Sequence, residues 1–182
     1  MKKRIILCGR ATSGKDHLRK LLEDNNYKYA VSYTTRQPRI NEVNGKDYYF
    51  KSREDFQDMI ALDEFHEYVV FNNWYYGTTK EQFYGGSDIF IMTPAGLAHL
   101  SKEDRNESLV IFLDIDENIR YKRLLERGDI DNVERRINAD QIDFKDFKDF
   151  DIRITDPDFN KESLSYISYF LNSVPVCNPE TN

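Results

Sequence analysis

A chain of 182 residues, 40% of them hydrophobic, is long enough for one well-buried core and has no linker that would divide it in two. Its net charge of −6 argues against general binding to nucleic acid or an anionic membrane, since both want a basic surface, so an anionic ligand has to be held by local arginines. Two cysteines, Cys8 and Cys177, are too few for a disulfide framework, and His17, His66 and His99 make no zinc-ligand pattern.

The apolar run Ile5 to Cys8 predicts a short buried strand. It is too short for a signal peptide or a membrane span, which points to the cytoplasm. Gly9-Arg-Ala-Thr-Ser-Gly-Lys-Asp16 follows directly, and apolar positions at Leu18, Leu21 and Leu22 then predict a helix ending at Asp24-Asn-Asn26. Strand, glycine loop and helix in that order form the setting in which backbone N–H groups cradle phosphates and a lysine reaches the terminal ones. Gly9, Arg10, Ala11, Thr12, Ser13, Gly14, Lys15 and Asp16 are therefore the candidate nucleotide-binding loop, with a structural turn as the alternative. It matches G-x-x-x-x-G-K-[ST] except at Asp16, whose carboxylate stands in place of the hydroxyl that ligates Mg²⁺; it could hold the metal through a water but adds negative charge beside the phosphates.

Tyr29-Ala-Val31 reads as a second strand, after which Ser32-Tyr-Thr-Thr-Arg-Gln-Pro-Arg39 places Arg36 and Arg39 on an extended segment, because Pro38 disfavours helix at Gln37. Two planar guanidinium forks, with hydroxyls at Ser32, Thr34, Thr35 and Tyr48, suit a phosphate monoester. Asp47 to Lys51 reads as a strand and Ser52-Arg-Glu-Asp55 as a helix start. Tyr48 to Phe50, Phe65 to Phe71 and Trp74 to Tyr76 suggest a small antiparallel sheet rich in aromatics. Within it Glu67, Tyr76 and Thr78 are candidates to read a base edge, since a carboxylate accepts two N–H donors and a hydroxyl meets a carbonyl.

Thr79 to Phe83 predicts a short helix ended by Gly85-Gly86, Ser87 to Met92 a buried strand, and the segment after Pro94 a helix to about Leu100. Leu109 to Leu113 predicts a central strand ending in Asp114-Ile-Asp116, acids better suited to capping the next helix than to a metal. Helices over Ile119 to Arg127 and Val133 to about Asp143 flank a turn at Gly128-Asp-Ile-Asp131. Arg123, Arg127, Arg135 and Arg136 bracket that turn, as in a lid that brings positive charge onto phosphates. Phe144 to Phe150 reads as a helix end, Asp151 to Ile154 as a last strand, and Asn160 to Leu171 as a terminal helix.

Together these residues resemble the guanylate kinase family of P-loop nucleoside-monophosphate kinases, from Ile5 to about Leu171. The densest match is Ser32 to Arg39 against S-x-T-T-R-x-P-R, followed by the acidic glycine loop Glu42 to Gly45 and by Asp47-Tyr-Tyr-Phe50 against D-Y-x-F. Glu64-Phe-His-Glu67 matches E-F-x-E, and Tyr75-Tyr-Gly-Thr78 matches Y-Y-G-[ST]. The resemblance implies an α/β, P-loop NTPase-type three-layer fold with a central parallel sheet, a small mixed or antiparallel NMP-binding lobe and a helical lid. One domain then spans 1–182, with the core over about 1–31, 87–120 and 150–174, the lobe over about 32–86 and the lid over about 121–149.

It further implies ATP-dependent phosphorylation of GMP or dGMP in purine nucleotide metabolism, with Mg²⁺ entering with ATP, in a monomer or homodimer. By the same similarity Ser32, Arg36, Arg39, Tyr48 and Tyr76 surround the GMP phosphate, Glu67 and Thr78 read guanine, and Lys15, Arg123, Arg127 and Arg136 are catalytic. The chain departs from the family at Asp16, at Thr93 where an acid helps hold guanine, and at Thr155-Asp156 where N-D is common; the lid loop is short. A deoxynucleoside-monophosphate kinase of different or broader base specificity, or a non-catalytic phosphopeptide-binding module, are the alternative readings.

Overall fold

Alternate residues of the run Ile5 to Cys8 are buried against different partners, and this divides the core into two layers. The structure, a computed structural model, describes residues 4–71, 73–127 and 133–160 together with Ser165, Ile167 and Tyr169. In chain order the elements are β1 (Arg4–Gly9), α1 (Lys15–Glu23), β2 (Tyr33–Thr34), β3 (Tyr49–Phe50), α2 (Arg53–Ala61), β4 (Phe65–Phe71), β5 (Trp74–Thr79) and α3 (Lys80–Tyr84). They continue as β6 (Ile89–Ile91), α4 (Pro94–Leu97), α5 (Lys102–Asn106), β7 (Ser108–Leu113), α6 (Glu117–Arg127), α7 (Val133–Asp143) and β8 (Ile152–Ile154).

β1 pairs in parallel with β6 and β7, and β7 with β8, giving the order β6-β1-β7-β8. Ile5 and Leu7 pack with Leu18 and Leu22 of α1, whereas Ile6 and Cys8 pack with Phe83, Phe90, Leu97 and Phe144. Because both faces are covered, these strands read as unbroken apolar runs rather than as alternating ones. Each such side chain removed from water contributes roughly 1.5–3 kcal/mol. The chain reaches β6 on one side of β1 and β7 on the other, so a crevice opens at the carboxyl end of β1, where Gly9 starts the glycine loop.

The second sheet has the order β3-β2-β5-β4 and corrects two expectations. Tyr29-Ala-Val31 is not a strand but a single bridge from Tyr29 to Ile89, because the chain leaves the parallel sheet there: Gln82 Nε2 donates to the Val31 carbonyl at 2.6 Å. The strand lies two residues on, at Tyr33–Thr34, within the arginine stretch itself. It is inserted between β3, to which it is parallel, and β5, to which it is antiparallel, so the sheet is mixed. Gly77 makes this possible, since a Cβ there would lie 2.8 Å from the Phe65 ring.

Ser52 caps α2 as its sequence signature suggests, Thr79 forms a capping box with Gln82 at the start of α3, and Asp116 accepts from Asn118 N at 2.9 Å at the start of α6. The helix after Pro94 stops at Leu97 instead of Leu100, and α5 follows, capped by Ser101 onto Asp104 N. Phe144, Phe147 and Phe150 form an aromatic cluster around Phe112. The Gly128 to Asp131 turn and Cys177 fall outside the described residues, as does most of the terminal helix; Ile167 from that segment is buried in the α1 layer.

Candidate active site

The glycine loop turns sharply at two left-handed positions, Thr12 with φ 56° and Gly14 with φ 98°, and α1 begins at Lys15. A Cβ at Gly14 would lie 2.9 Å from the Phe159 ring, so glycine is required for space as well as for φ. Lys15 Nζ donates to the Gly9 and Arg10 carbonyls at 2.5 and 2.9 Å, curling over its own loop. Burial lowers its pKa, opposed by the Asp140 and Asp16 carboxylates. A cavity over the loop is lined by residues 11–17 together with Arg39, Glu42, Asp47, Tyr48, Arg123, Arg127 and Arg136, among others.

A second cavity adjoins it, between the loop and the mixed sheet, lined by Ser32, Arg36, Arg39, Tyr48, Glu67 and Tyr76 among others. Both cavities include Ala11, Lys15, Arg39, Tyr48 and Arg136, which therefore stand where they meet. Thr34 and Thr35 are not among the lining residues, contrary to their expected role beside a phosphate. Their hydroxyls bind the neighbouring strand instead: Thr34 Oγ1 donates to Tyr75 O at 2.9 Å and Thr35 Oγ1 accepts from Tyr75 N at 2.9 Å. They fix the strand that delivers Arg36, which is 6% exposed and lies over the Tyr48 ring at 5.4 Å. Burial pushes the Tyr48 phenol up to about 12, so it is a neutral hydrogen-bond donor.

Glu42 holds the two arginines together. Its carboxylate accepts from Arg36 Nη2 at 2.8 Å, Arg39 Nη1 at 3.1 Å and Arg39 N at 2.7 Å. Burial raises its pKa, but the Arg39 amide and the Arg36 guanidinium outweigh that and leave it below the usual carboxylate range. Glu42→Gln removes the counter-charge between two adjacent cations. We expect it to raise KM for the phosphate-bearing acceptor roughly tenfold in steady-state kinetics, because the two guanidinium forks lose the carboxylate that aligns them and the gain in positive charge does not restore their geometry.

At the far end Glu67 is 6% exposed and stands opposite Thr78 in the β4–β5 ladder. Burial raises its pKa to about 7, and the neighbouring Thr78 hydroxyl and amide draw it partway back. Thr78 is buried beside it and is not part of the cavity lining. Thr93 does line the cavity but is occupied as the cap of α4, accepting from Gly96 N at 3.2 Å. That short helix sets the seat of Glu67, because a Cβ on Gly96 would fall 3.0 Å from Glu67 Oε2. Gly96→Ala therefore displaces the carboxylate by a few tenths of an ångström; we expect KM for the acceptor to rise about fivefold through a weakened charged hydrogen bond, with melting temperature nearly unchanged because alanine favours helix.

Over the glycine loop, Arg123 Nη1 donates to Thr12 O at 3.2 Å and Nη2 to Pro157 O at 3.1 Å, so this arginine rests against the loop from α6. Arg136 reaches the junction of the two cavities from α7, and Arg127 lines the loop cavity.

A family model described as "Guanylate kinase" matches residues 1–173. The chain belongs to the guanylate kinase family. A guanylate kinase of Lactiplantibacillus plantarum is 33% identical over 160 residues, covering 82% of this chain and 78% of the relative. One from Buchnera aphidicola subsp. Baizongia pistaciae is 40% identical over 141 residues, covering 73% and 68%. A crystal structure of guanylate kinase from Anaplasma phagocytophilum shares the fold, with a TM-score of 0.73 at 23% identity, over 94% of this chain and 85% of that one. The α/β architecture of this guanylate kinase family member is thus that of a P-loop NTPase.

Kinases of this family use ATP, and the donor set here suits a metal that arrives with its substrate. Asp16 lies in the loop cavity with its side chain 73% exposed, 3.7 Å from Arg19, and the described residues contain no group of three or more His, Cys, Asp or Glu able to hold an ion. One carboxylate leaves the remaining positions to phosphate oxygens and water, the ligands Mg²⁺ ordinarily keeps. Asp114, in contrast, is taken up by Arg10 at 2.6 Å and by Arg153 Nε at 2.9 Å. Sequence reasoning left Asp140 unassigned and gave Glu42 no role beyond its place in the acidic loop. The signal for Glu42 was its acidity three residues after Arg39; for Asp140, distant from the loop in sequence, there was none.

Proposed function

We infer that this chain catalyses phosphoryl transfer from ATP to GMP or dGMP, giving ADP and the nucleoside diphosphate. The observation that supports this reading best is the pair of adjoining cavities that share Lys15, Arg39, Tyr48 and Arg136, one over a glycine loop and one ending at the Glu67 carboxylate. In this reading the glycine loop, residues 9–16, binds the ATP phosphates. Arg36, Arg39, Ser32, Tyr48 and Tyr76 bind the acceptor phosphate, and Glu67, with Thr78 beside it, selects guanine. A carboxylate there accepts from the two adjacent N–H donors of the guanine edge, which adenine and the pyrimidines lack in that arrangement.

Transfer between phosphates needs position and charge neutralisation more than a base. Lys15 swings from the Gly9 and Arg10 carbonyls onto the transferring group, Arg136 reaches it from α7, and Arg123 and Arg127 neutralise charge from α6. Arg36 and Arg39 hold the acceptor oxygens in line. Asp16 would help hold the Mg²⁺ that accompanies ATP, and the ion would neutralise phosphate charge. We treat residues 32–86 as the acceptor lobe and 121–149 as the lid, which excludes water on closing. In this reading the enzyme works in the cytoplasm, where its nucleotide substrates are. No helix among the described residues is long and apolar enough to cross a membrane.

An ADP-release assay with GMP, dGMP, AMP and UMP, with and without Mg²⁺, tests this. Metal-dependent release with GMP or dGMP is expected. No release above the ATP-only rate with any of the four acceptors overturns it.

A further inference from the structure

The described acidic side chains include one that is buried against the glycine loop without belonging to it. Asp140, on α7, is 5% exposed. Its Oδ2 accepts from the Ala11 backbone N–H at 2.8 Å and from Arg120 Nη1 at 3.2 Å. Arg120, 2% exposed on α6, donates through Nε to Ile115 O at 3.0 Å, and its own carbonyl accepts from Thr12 Oγ1 at 2.9 Å. The first half of the loop, including Thr12 in its left-handed conformation, is thus tied to α6 and α7 by groups more than a hundred residues away. Asp140 also lies one helical turn after Arg136, so the two share a face of α7 and both line the cavity between loop and mixed sheet. A change in the seating of α7 that moves Arg136 therefore pulls on Ala11 as well.

We propose that Asp140 is a positioning residue for the ATP phosphates, fixing the Ala11–Thr12 half of the glycine loop and coupling its shape to the placement of Arg136. The inference rests on the reading of that loop as the ATP site. A purely structural Asp140–Arg120 ion pair differs in its consequences, since its loss lowers stability without singling out one substrate.

Steady-state kinetics and thermal melts of the full chain separate the two. Asp140→Ala is expected to raise KM for ATP about tenfold or more, the order of a lost charge-assisted hydrogen bond to a buried amide, with KM for GMP within about twofold. Asp140→Asn still offers a carbonyl oxygen to Ala11 N–H and is expected to recover most of the ATP affinity, although it melts lower because Arg120 loses its counter-charge. Should the alanine variant not fold, Asp140→Glu keeps the charge and pushes the Ala11 amide by one methylene; a raised KM for ATP with a near-parental melting temperature is expected. An unchanged KM for ATP in the folded variants, equal rises for both substrates, or an asparagine variant no better than alanine overturns the proposal. A parent chain that binds no ATP overturns the reading of the loop itself, whereas an active parent with normal Asp140 variants overturns only the role given to Asp140.

Discussion

Lys15→Met is expected to reduce phosphoryl transfer by about 10²–10³-fold or more, the range seen when one preorganised donor is removed from a developing charge. Methionine keeps the length and apolar stem of lysine, so α1 still starts at residue 15, and the glycine turn at Gly14 is unaffected. What is lost is the only lysine among the residues shared by the two cavities. That ammonium donates to the Gly9 and Arg10 carbonyls and borders the cavity over the loop. With the acceptor assigned to Arg36 and Arg39 as proposed above, calorimetric GMP binding should stay within about threefold of the parent, the effect of a substitution outside the contact. Single-turnover transfer near the parental rate would remove Lys15 from the mechanism.

The second large effect is at Glu67. Replacing it with glutamine removes two charged hydrogen bonds to the base and places an amide N–H₂ among donors; KM for GMP should rise about 10²-fold or more, and the preference for GMP over AMP and UMP should narrow. The parent should also bind GMP more tightly as pH rises from 6 to 8, because the base requires the ionised carboxylate and burial holds its pKa near 7. Stability runs the other way. Glu67 holds its proton more firmly in the folded chain than in the unfolded one, where the ordinary value is 4.5, so this contribution is complete below about 4.5 and is lost as pH rises through about 7. Ligand-free Glu67→Gln should therefore melt no lower than the parent at pH 8. A pH-independent KM for GMP in the parent, between pH 6 and 8, would sink the base-reading role.

The acceptor side was legible from residue type, while its supporting contacts were not. Arg36 and Arg39 are recognisable because two guanidinium groups flanking a proline in a hydroxyl-rich segment have few uses besides an anion. The same reasoning put Thr34 and Thr35 beside the phosphate, although their hydroxyls bond to Tyr75 backbone groups forty residues away. A hydroxyl serves a strand neighbour as well as a ligand, and only the pairing of β2 with β5 shows which. Thr93 presents the opposite case: its hydroxyl caps α4, and the close approach of Gly96 to Glu67 gives that helix a role that its four residues do not announce.

The signals legible along the chain are a strand, a glycine loop with Lys15, and an arginine pair ahead of Asp47-Tyr-Tyr-Phe50, which mark candidate phosphate sites. These are local signals, carried by backbone conformations and side-chain charges within a few residues of one another. Which groups hold them in place depends on contacts between distant elements. Glu42 bridges the arginines, Gly96 seats Glu67, and Asp140 reaches Ala11 across 129 residues. Those contacts depend on which elements the two sheets bring side by side, and residue spacing along the chain does not encode that.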